Sequence, residues 1–497
     1  MESSNICPYC NQPNNSPVSP APLNRPIAKI ETLITQLLEE KHTLLRRLNS
    51  IQSLTRNVPV EILAFIFEEA SREPPMNLDP DEEPEAPNGI AQALLLGTVS
   101  TQWRQAALSA SHIWTNLQYQ LDPIQFKSQL SMIEEALDRS GNLPLMVMFD
   151  FSKLKLPLIR GISGWHLVDP TTDEVLCWNM ERIQSLSLLD PPRPWFETTS
   201  ELAQLTELTV KYSEQGAIQP DELSLIDNLY LRKLAIAGFS SNHCIRLPSS
   251  PSLTHVTLSE VHVAMAISVL LHCPQLITFE GSTLECDGPW YNDIDNAKPI
   301  VMEHLRALTW RGADLRSWER PFIQNLHLPA LQTLCLLINR DAAQQDTEYL
   351  PSLQAFFSRL SSLKTLSLER CYRTRHLQLR FPANMFPQWL EHLTLKDWHL
   401  SYVHELLESE AIAGREGGQV NPLLPNLRKL SIDLGYLAFE PGQLMDILNV
   451  LKGRTSPLVL CLRLHRNIDM SEPISMLRDP SLLLEGLELV VNGKRVA

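Results

Sequence analysis

One hydrophobic pattern recurs along the chain from about residue 180: an apolar residue, two residues, a second apolar residue, one residue, and a third apolar residue. Clear copies begin at Ile183, Leu205, Leu231, Leu253, Leu305, Leu331, Leu363, Leu390 and Leu427, and a weaker one at Leu276. The second and third positions lie two residues apart, which predicts a short strand with one buried face. From Leu205 to Leu427 the copies recur on average about every 28 residues, a spacing typical of stacked repeats.

The segments between the strands indicate how the repeats connect. Met265–Cys273 and Val403–Glu408 are apolar at helical spacing. Proline stands two residues before the first leucine at Pro251, Pro274, Pro329 and Pro425. We expect it to end the returning helix and begin the extended segment. We therefore predict an α/β fold: an irregular leucine-rich-repeat solenoid over residues 181–497, with short parallel strands alternating with helices.

A doubly wound α/β domain is the alternative interpretation of the same strands. That fold buries its strands on both faces and binds ligands at a crevice where the strand order reverses. The uniform apolar spacing across the copies favours the solenoid instead.

The first third of the chain has a different pattern. Residues 1–26 are polar and rich in Pro, Asn and Ser, which predicts a disordered segment. Residues 27–56 predict an amphipathic helix with apolar residues at heptad spacing from Ile27 to Ile51 and Lys41 at the one polar position. This helix would form a coiled-coil dimer or pack on its own neighbouring domain. The wide apolar stripe, which includes Leu33, Leu38 and Leu45, favours packing on the chain's own domain.

Residues 57–118 predict a small helical module with an insert. Pro59 and Glu61 suit the first turn of a helix that continues to residue 71. Residues 72–89 are acidic and proline-rich, which predicts a disordered insert, and helical patterning resumes from residue 90. Residues 119–180 contain one more amphipathic helix and one strand, and we interpret them as a connection to the repeats.

Two half-motifs in this module resemble the F-box. Residues 58–67 read VPVEILAFIF and residues 97–107 read GTVSTQWRQAA, followed by Ile113 and Trp114. The chain departs from the family at Val58, where Leu is usual, at Ser100, where Cys is usual, and in the acidic insert. A preceding amphipathic helix and trailing repeats are similar to F-box-like proteins common in mushroom-forming fungi.

The resemblance implies the substrate-recognition subunit of a Skp/cullin/F-box ubiquitin ligase. The F-box would bind the Skp-type adaptor, the repeats would bind an unknown protein substrate, and the chain itself would not be an enzyme. The positions carried over as adaptor-binding are Pro59, Ile62, Leu63, Ile66, Val99 and Trp103. The apolar surplus of the first helix also suggests a partner. The alternative for Phe67, Trp103 and Trp114 is a local hydrophobic core.

Composition narrows the partners. The 497 residues carry a net charge of −15, which argues against nucleic acids and anionic membranes as partners. There is no run of about 18 apolar residues, and the first residues have neither a basic start nor an apolar stretch, so we expect no secretory signal. Most of the nine cysteines lie in apolar runs. Free buried thiols predict the cytoplasm or the nucleus.

Motifs for catalysis, metals and cofactors are missing from the sequence. Cys7 and Cys10 resemble a redox pair but follow no predicted strand and have no second ligand pair for zinc. We find no phosphate-binding loop, nucleophile elbow or paired metal-binding histidines. We therefore expect no cofactor and no metal.

Substrate contacts are expected on the concave face of the repeats. The polar residues beside the apolar strand positions are Lys211, Arg311, Glu369, Lys396 and Asp433. Their charges are mixed, so they indicate no partner class. Two other functions remain open: a non-catalytic leucine-rich-repeat scaffold unconnected to ubiquitin ligases, and a thiol oxidoreductase that uses Cys7 and Cys10.

Overall fold

The structure is a computed structural model. It describes residues 21–52, 57–71, 89–122, 124–155, 179–192, 195, 202–213, 222–225, 228–239, 244–247, 252–284, 299–312, 323–338, 349–370, 385–413, 424–434, 441–451, 457–463, 487–492 and 494–495. The described residues form two compact units, which divide between residues 114 and 115. The pair Cys7 and Cys10, the first twenty residues and residues 72–88 of the acidic insert lie outside the described residues.

The first unit is helical. Its helices are α1 (Ala21–Gln52), α2 (Val60–Ser71), α3 (Gly89–Leu96) and α4 (Thr101–Ser109), followed by a 3₁₀ turn that begins at Ser111. Helices α2, α3 and α4 pack against one another around a small core. The buried residues of that core are Leu63, Phe67, Ile90, Ala93, Ala106, Ala107, Ile113 and Trp114. Helix α1 begins six residues before the predicted start at residue 27 and ends four residues before the predicted end at 56.

The second unit is built on one long sheet, which has fifteen strands among the described residues. Neighbouring strands run parallel except the last pair. In spatial order the strands are β1 (Asn116–Gln120), β2 (Leu145–Asp150), β3 (Ile183–Leu189), β4 (Glu207–Lys211), β6 (Lys233–Ala237), β8 (His255–Ser259), β9 (Thr278–Leu284), β11 (Ala307–Gly312), β13 (Thr333–Ile338), β14 (Thr365–Arg370), β15 (His392–Lys396), β16 (Lys429–Asp433), β17 (Leu458–Arg463), β18 (Leu487–Val491) and β19 (Lys494–Arg495).

Helices and short strands connect the main strands. The helices are α5 (Phe126–Ser140), α6 (Val263–His272), α7 (Tyr349–Arg359), α8 (Leu400–Ala413) and α9 (Pro441–Leu451). Two further parallel pairs join β5 (Glu222–Ser224) to β7 (Cys244–Arg246) and β10 (Ile300–Val301) to β12 (Leu326–His327). This is the predicted α/β architecture: a long parallel sheet whose strands alternate with helices, consistent with a solenoid-like repeat.

The apolar pattern explains the register of the sheet. Leu366 of β14 pairs with Leu334 on one side and Leu393 on the other, and all three are buried. Leu368 does the same with Leu336 and Leu395. Because side chains alternate across a strand, the intervening residues point to the opposite face, where Ser367 and Thr394 remain partly exposed and Cys335 is buried. Each repeat therefore adds two buried residues to a continuous apolar row.

A tight turn precedes several of the strands, and a proline occupies the same position in each of these turns. The backbone N–H of Leu276 donates to the carbonyl of Cys273, and Leu331 and Leu427 donate in the same way to Leu328 and Leu424. Pro274, Pro329 and Pro425 therefore occupy the second residue of a four-residue turn, where their fixed φ is favourable. The sequence led us to expect that proline ends the returning helix. In the structure it also stabilises the turn that leads into the strand.

Left-handed residues follow several strands. Asp190, Gly238, Glu260 and Asp397 have φ between 52° and 76°. Each donates its N–H to a carbonyl of the next strand in the sheet, for example Asp190 to Lys211 and Asp397 to Asp433. The left-handed turn thus adds one more hydrogen bond to the ladder before the chain leaves the sheet.

The parallel sheet begins earlier than the sequence placed it. Strands β1 and β2 belong to the same ladder as the repeats, so the sheet starts at Asn116 rather than at residue 181. Residues 119–180, interpreted as a connection, therefore contribute β2 and the last two residues of β1. Trp114, Leu117 and Tyr119 carry the repeat spacing with aromatic residues at its ends.

Candidate functional site

Helix α2 exposes apolar side chains along one face. Ile62, Phe65 and Ile66 lie at helical spacing and are 51%, 60% and 47% exposed, and Val60 is exposed at the helix start. Adjacent exposed apolar side chains of this size make this face of α2 a candidate surface for contact with a partner. Phe65 is the most exposed of the four. It was not among the residues named from the sequence motif.

Helix α3 contacts α2 and also exposes apolar side chains. Leu94 and Leu95 near its end and Val99 in the following turn are all exposed. We call the seven residues Val60, Ile62, Phe65, Ile66, Leu94, Leu95 and Val99 the module surface.

The six residues named from the F-box resemblance divide by exposure. Pro59, Ile62, Ile66 and Val99 are exposed. Leu63 is only 1% exposed and lies in the core of the module. Trp103 is half-buried, with its ring centroid 5.0 Å from that of Phe67. Leu63 and Trp103 therefore support the module from within, whereas the other four face outward.

The two half-motifs are held together by specific hydrogen bonds. The Gln102 side chain donates to the carbonyl of Val58 at 3.0 Å, which fixes the start of α4 against the start of α2. Ser100 caps α4 by accepting a hydrogen bond from the N–H of Trp103 at 3.1 Å. Arg104 donates to the carbonyl of Gly97 at 3.1 Å. The 29 residues 68–96 separate these motifs in the sequence, and the fold brings the motifs side by side.

The five residues named as substrate contacts occupy equivalent positions in their strands. Each directly follows the second buried apolar residue, on the polar face of the sheet. Glu369, Lys396 and Asp433 pair in register on β14, β15 and β16, and the register continues to Arg463 on β17. We call this position of the strands the exit row. Lys211 lies in the same row farther along the sheet, on β4.

An ion-pair network occupies the middle of the exit row. Arg311 Nη2 donates to Glu369 Oε1 at 3.0 Å, and Arg311 Nε lies 2.9 Å from Glu369 Oε2. Lys396 Nζ approaches Glu369 Oε2 at 3.8 Å, and Glu280 lies 3.7 Å from Arg311. Burial acts to lower the pKa of Arg311, but the hydrogen bond and charge of Glu369 outweigh it and raise that pKa.

The basic members of the row are more exposed than the acidic ones. The Glu369 side chain is only 11% exposed, while those of Lys396 and Arg463 are 38% and 81% exposed. Arg463 reaches within 3.9 Å of Asp433. A partner that approaches this face therefore meets the cationic groups first. Arg463 was not recognised from the sequence, although it follows Leu462 as Asp433 follows Ile432.

A row of small side chains runs beside the exit row. Ser367, Thr394 and Ser431 pair in register, and Cys335 continues the row on β13. Cys335 Sγ lies 3.6 Å from Glu369 Oε1. Burial, with the nearby Glu369 charge, raises the pKa of the Cys335 thiol to about 11. This thiol is therefore protonated near neutral pH and is a poor nucleophile.

The described part of the chain contains no group of three or more His, Cys, Asp or Glu side chains arranged to hold a metal ion. Within the same residues, no helix combines the length and the apolar character that a membrane crossing requires.

Comparisons with known proteins identify no family for this chain. No family model and no curated protein matches the chain. Among solved structures, the chain is similar to the crystal structure of a protein from Bacteroides fragilis, with 11% identity and a TM-score of 0.27. The match covers 63% of this chain and 66% of that protein, so the chain spans just under two thirds of its length.

Proposed function

We propose that this protein is an F-box-like substrate receptor of a Skp/cullin ubiquitin ligase. The observation that carries the proposal is the module surface: exposed apolar residues on α2 and α3, beside two half-motifs that hydrogen bonds hold together. A helical face of this kind is suited to docking on a protein adaptor, since apolar anchors supply most of the binding free energy at such interfaces.

In this role the chain carries out no chemistry itself. The module would bind the Skp-type adaptor and the repeat sheet would bind a protein substrate. Holding both partners on one chain raises the effective concentration of the substrate near the ubiquitin-charged enzyme. Cys273 and Cys335 are buried and free, which supports a reducing compartment, the cytoplasm or the nucleus.

Adaptor capture tests the proposal with a matched control. Ile62→Lys and Ile66→Lys place a charge on exposed positions of α2, so the module should still fold while adaptor capture falls at least tenfold. Leu271→Lys makes the same kind of change on α6, where Leu271 is similarly exposed, and should leave capture unchanged. If the wild-type chain captures no Skp-type adaptor, or if the α2 variants bind it as well as wild type, the proposal fails.

The exit row is the proposed substrate surface. Its exposed cations favour a substrate segment that carries acidic side chains. Lys396→Glu and Arg463→Glu should reduce substrate capture while adaptor capture is unchanged, which separates the two surfaces. Equal loss of both activities would indicate a general folding defect.

A non-catalytic scaffold outside the ubiquitin system is the second candidate. The observation in its favour is the polar sheet face, where a row of small side chains runs beside exposed cations, since this surface is formed without the module. Capture experiments with the full chain distinguish the two candidate functions. A scaffold should retain its partner when the module surface is altered, and no cullin should be captured with it.

A further inference from the structure

Helix α1 presents a continuous apolar stripe that nothing in the described chain covers. Every residue described at side-chain level in this helix, from Pro26 to Leu48, is exposed. The stripe is formed by Ile27, Ile30, Leu33, Ile34, Leu37, Leu38, Leu44, Leu45 and Leu48, which are between 44% and 60% exposed. The expectation that this helix packs on its neighbouring domain is therefore not met among the described residues.

The opposite side of α1 is polar and self-sufficient. Thr32, Thr35 and Thr43 each donate a side-chain hydrogen bond to the carbonyl four residues earlier, at 2.8–2.9 Å. The remaining positions on that side include Gln36, Glu39, His42 and Arg46. The helix thus has one face suited to water and one face that needs a partner.

We propose that α1 pairs with α1 of a second copy of this chain as a parallel, in-register coiled coil. The apolar residues repeat at alternating steps of three and four, which is the spacing of positions a and d in a heptad. Ile27, Ile34, Lys41 and Leu48 occupy position a, and Ile30, Leu37 and Leu44 occupy position d. Ile at a with Leu at d, as in Ile34 and Leu37, favours two parallel strands.

The charges on the helix select this arrangement. In a parallel pair, the residue at a packs into a hole that includes position g of the preceding heptad on the other helix. Lys41 of one copy therefore lies beside Glu40 of the second copy, on both sides of the pair. In an antiparallel pair over the same span, Lys41 would lie opposite Leu37, and the two Glu40 carboxylates would approach each other. A single Lys at position a also fixes the register, because any shift by a heptad removes the Lys–Glu contact.

The extra width of the stripe has the same explanation. Leu33 lies at position g and Leu38 at position e of the next heptad, and these positions meet across a parallel pair. The two leucines therefore extend the interface on each side where they occur. A helix that packs on a single flat domain has no need for this paired placement.

The oligomeric state of the full chain is the first test. The wild type should be a dimer by sedimentation or light scattering at micromolar concentration. Leu37→Lys, which places a charge at position d, should raise the dimer dissociation constant at least tenfold. Gln36→Lys on the polar face is the matched control and should leave it unchanged. A monomeric wild type, or a dimer indifferent to Leu37→Lys, overturns the proposal.

The orientation has its own test. Under mild oxidation Leu37→Cys should form a disulfide between identical positions of two copies, while Gln36→Cys should give only the wild-type background. Glu40→Lys alone should weaken the dimer, and Glu40→Lys with Lys41→Glu should restore it. A dimer that forms no cross-link at residue 37 and does not respond to the charge exchange overturns the parallel register. A stable complex of α1 with a different protein, in place of the dimer, overturns the choice of occupant.

Discussion

Arg311 and Glu369 form an ion pair that crosses an entire strand. Arg311 lies on β11 and Glu369 on β14, and β13 runs between them with Cys335 beneath the contact. One hydrogen bond of 3.0 Å and a second charge contact of 2.9 Å join the two side chains. The pair therefore fixes three consecutive strands against one another on the polar face of the sheet. The apolar rows cannot do this, because they lie on the opposite face.

Removing Arg311 should destabilise the repeats because it leaves the shielded Glu369 carboxylate without its main partner. Arg311→Ala should lower the free energy of unfolding by about 1–3 kcal/mol, allowing for the partial exposure of the arginine. Arg311→Ala with Glu369→Gln should cost less than the sum of the two single changes. Urea unfolding measures all three variants.

The exposed pair Lys364 and Glu391 provides the control for this cycle. Their charged atoms lie 3.7 Å apart, each on the residue directly before one of the neighbouring strands β14 and β15, and the lysine is largely in water. Lys364→Ala should change stability by less than about 1 kcal/mol. If Lys364→Ala and Arg311→Ala have equal effects, the strand-crossing contact contributes no more than an ordinary surface pair.

Gly238 should tolerate no side chain. Its φ is +76°, and a Cβ would meet the carbonyl oxygen of Tyr212 at 2.1 Å, so both the backbone and its neighbour would have to move. Gly238→Ala should lower the unfolding free energy by about 2 kcal/mol or more. Gly442 in α9 has open space around it, and Gly442→Ala should be neutral or slightly stabilising. Thermal unfolding of the two variants gives the comparison.

Two tryptophans provide a matched test of burial. The indole N–H of Trp398 donates to the carbonyl of Leu368 at 3.0 Å, and that of Trp389 donates to the carbonyl of Leu360 at 2.9 Å. Trp398 is fully buried and Trp389 is at the surface. Trp398→Phe should cost about 1–3 kcal/mol because it removes a buried hydrogen bond and leaves a cavity where part of the indole ring was. Trp389→Phe should cost clearly less, because water replaces the lost donor. Equal costs would contradict this account.

Stability should fall at alkaline pH through the buried thiol of Cys273. Burial raises the pKa of this thiol to about 12, whereas an unfolded thiol ionises near about 8.5. Between these values the native state retains a proton that the unfolded chain has released, so stability decreases as pH rises. Cys273→Ala should unfold more easily at pH 7, because it leaves a small cavity, but the difference from wild type should narrow between about pH 9 and about pH 11. Chemical unfolding over that range decides the point, and a constant difference would count against it.

The sequence predicted the repeat sheet well because its signal is local. Leu366 and Leu368 are buried through their own alternation, and every strand repeats that pattern. The start of the sheet was harder to place, since the copy of the pattern at β1 begins at Trp114, before the strand itself, whereas every later copy begins with an aliphatic residue. The ion pair of Arg311 and Glu369 could not be predicted from the sequence. It depends on β11 and β14 lying on either side of β13 in the sheet. The residues named for substrate binding did fall in one row, since their position relative to the buried pair is set by the same alternation.

The module surface shows the limit of motif reasoning, because residues with the same apolar character serve opposite purposes. Leu63→Ala should destabilise the helical module by about 2–5 kcal/mol, since this side chain is 1% exposed in its core. Ile62→Ala, one residue earlier on the exposed face, should change stability by less than about 0.5 kcal/mol and act on partner binding instead. Hydrogen exchange of α2 and α4, measured beside adaptor capture, separates the two effects. Slow exchange retained in Leu63→Ala would show that the core of the module lies elsewhere.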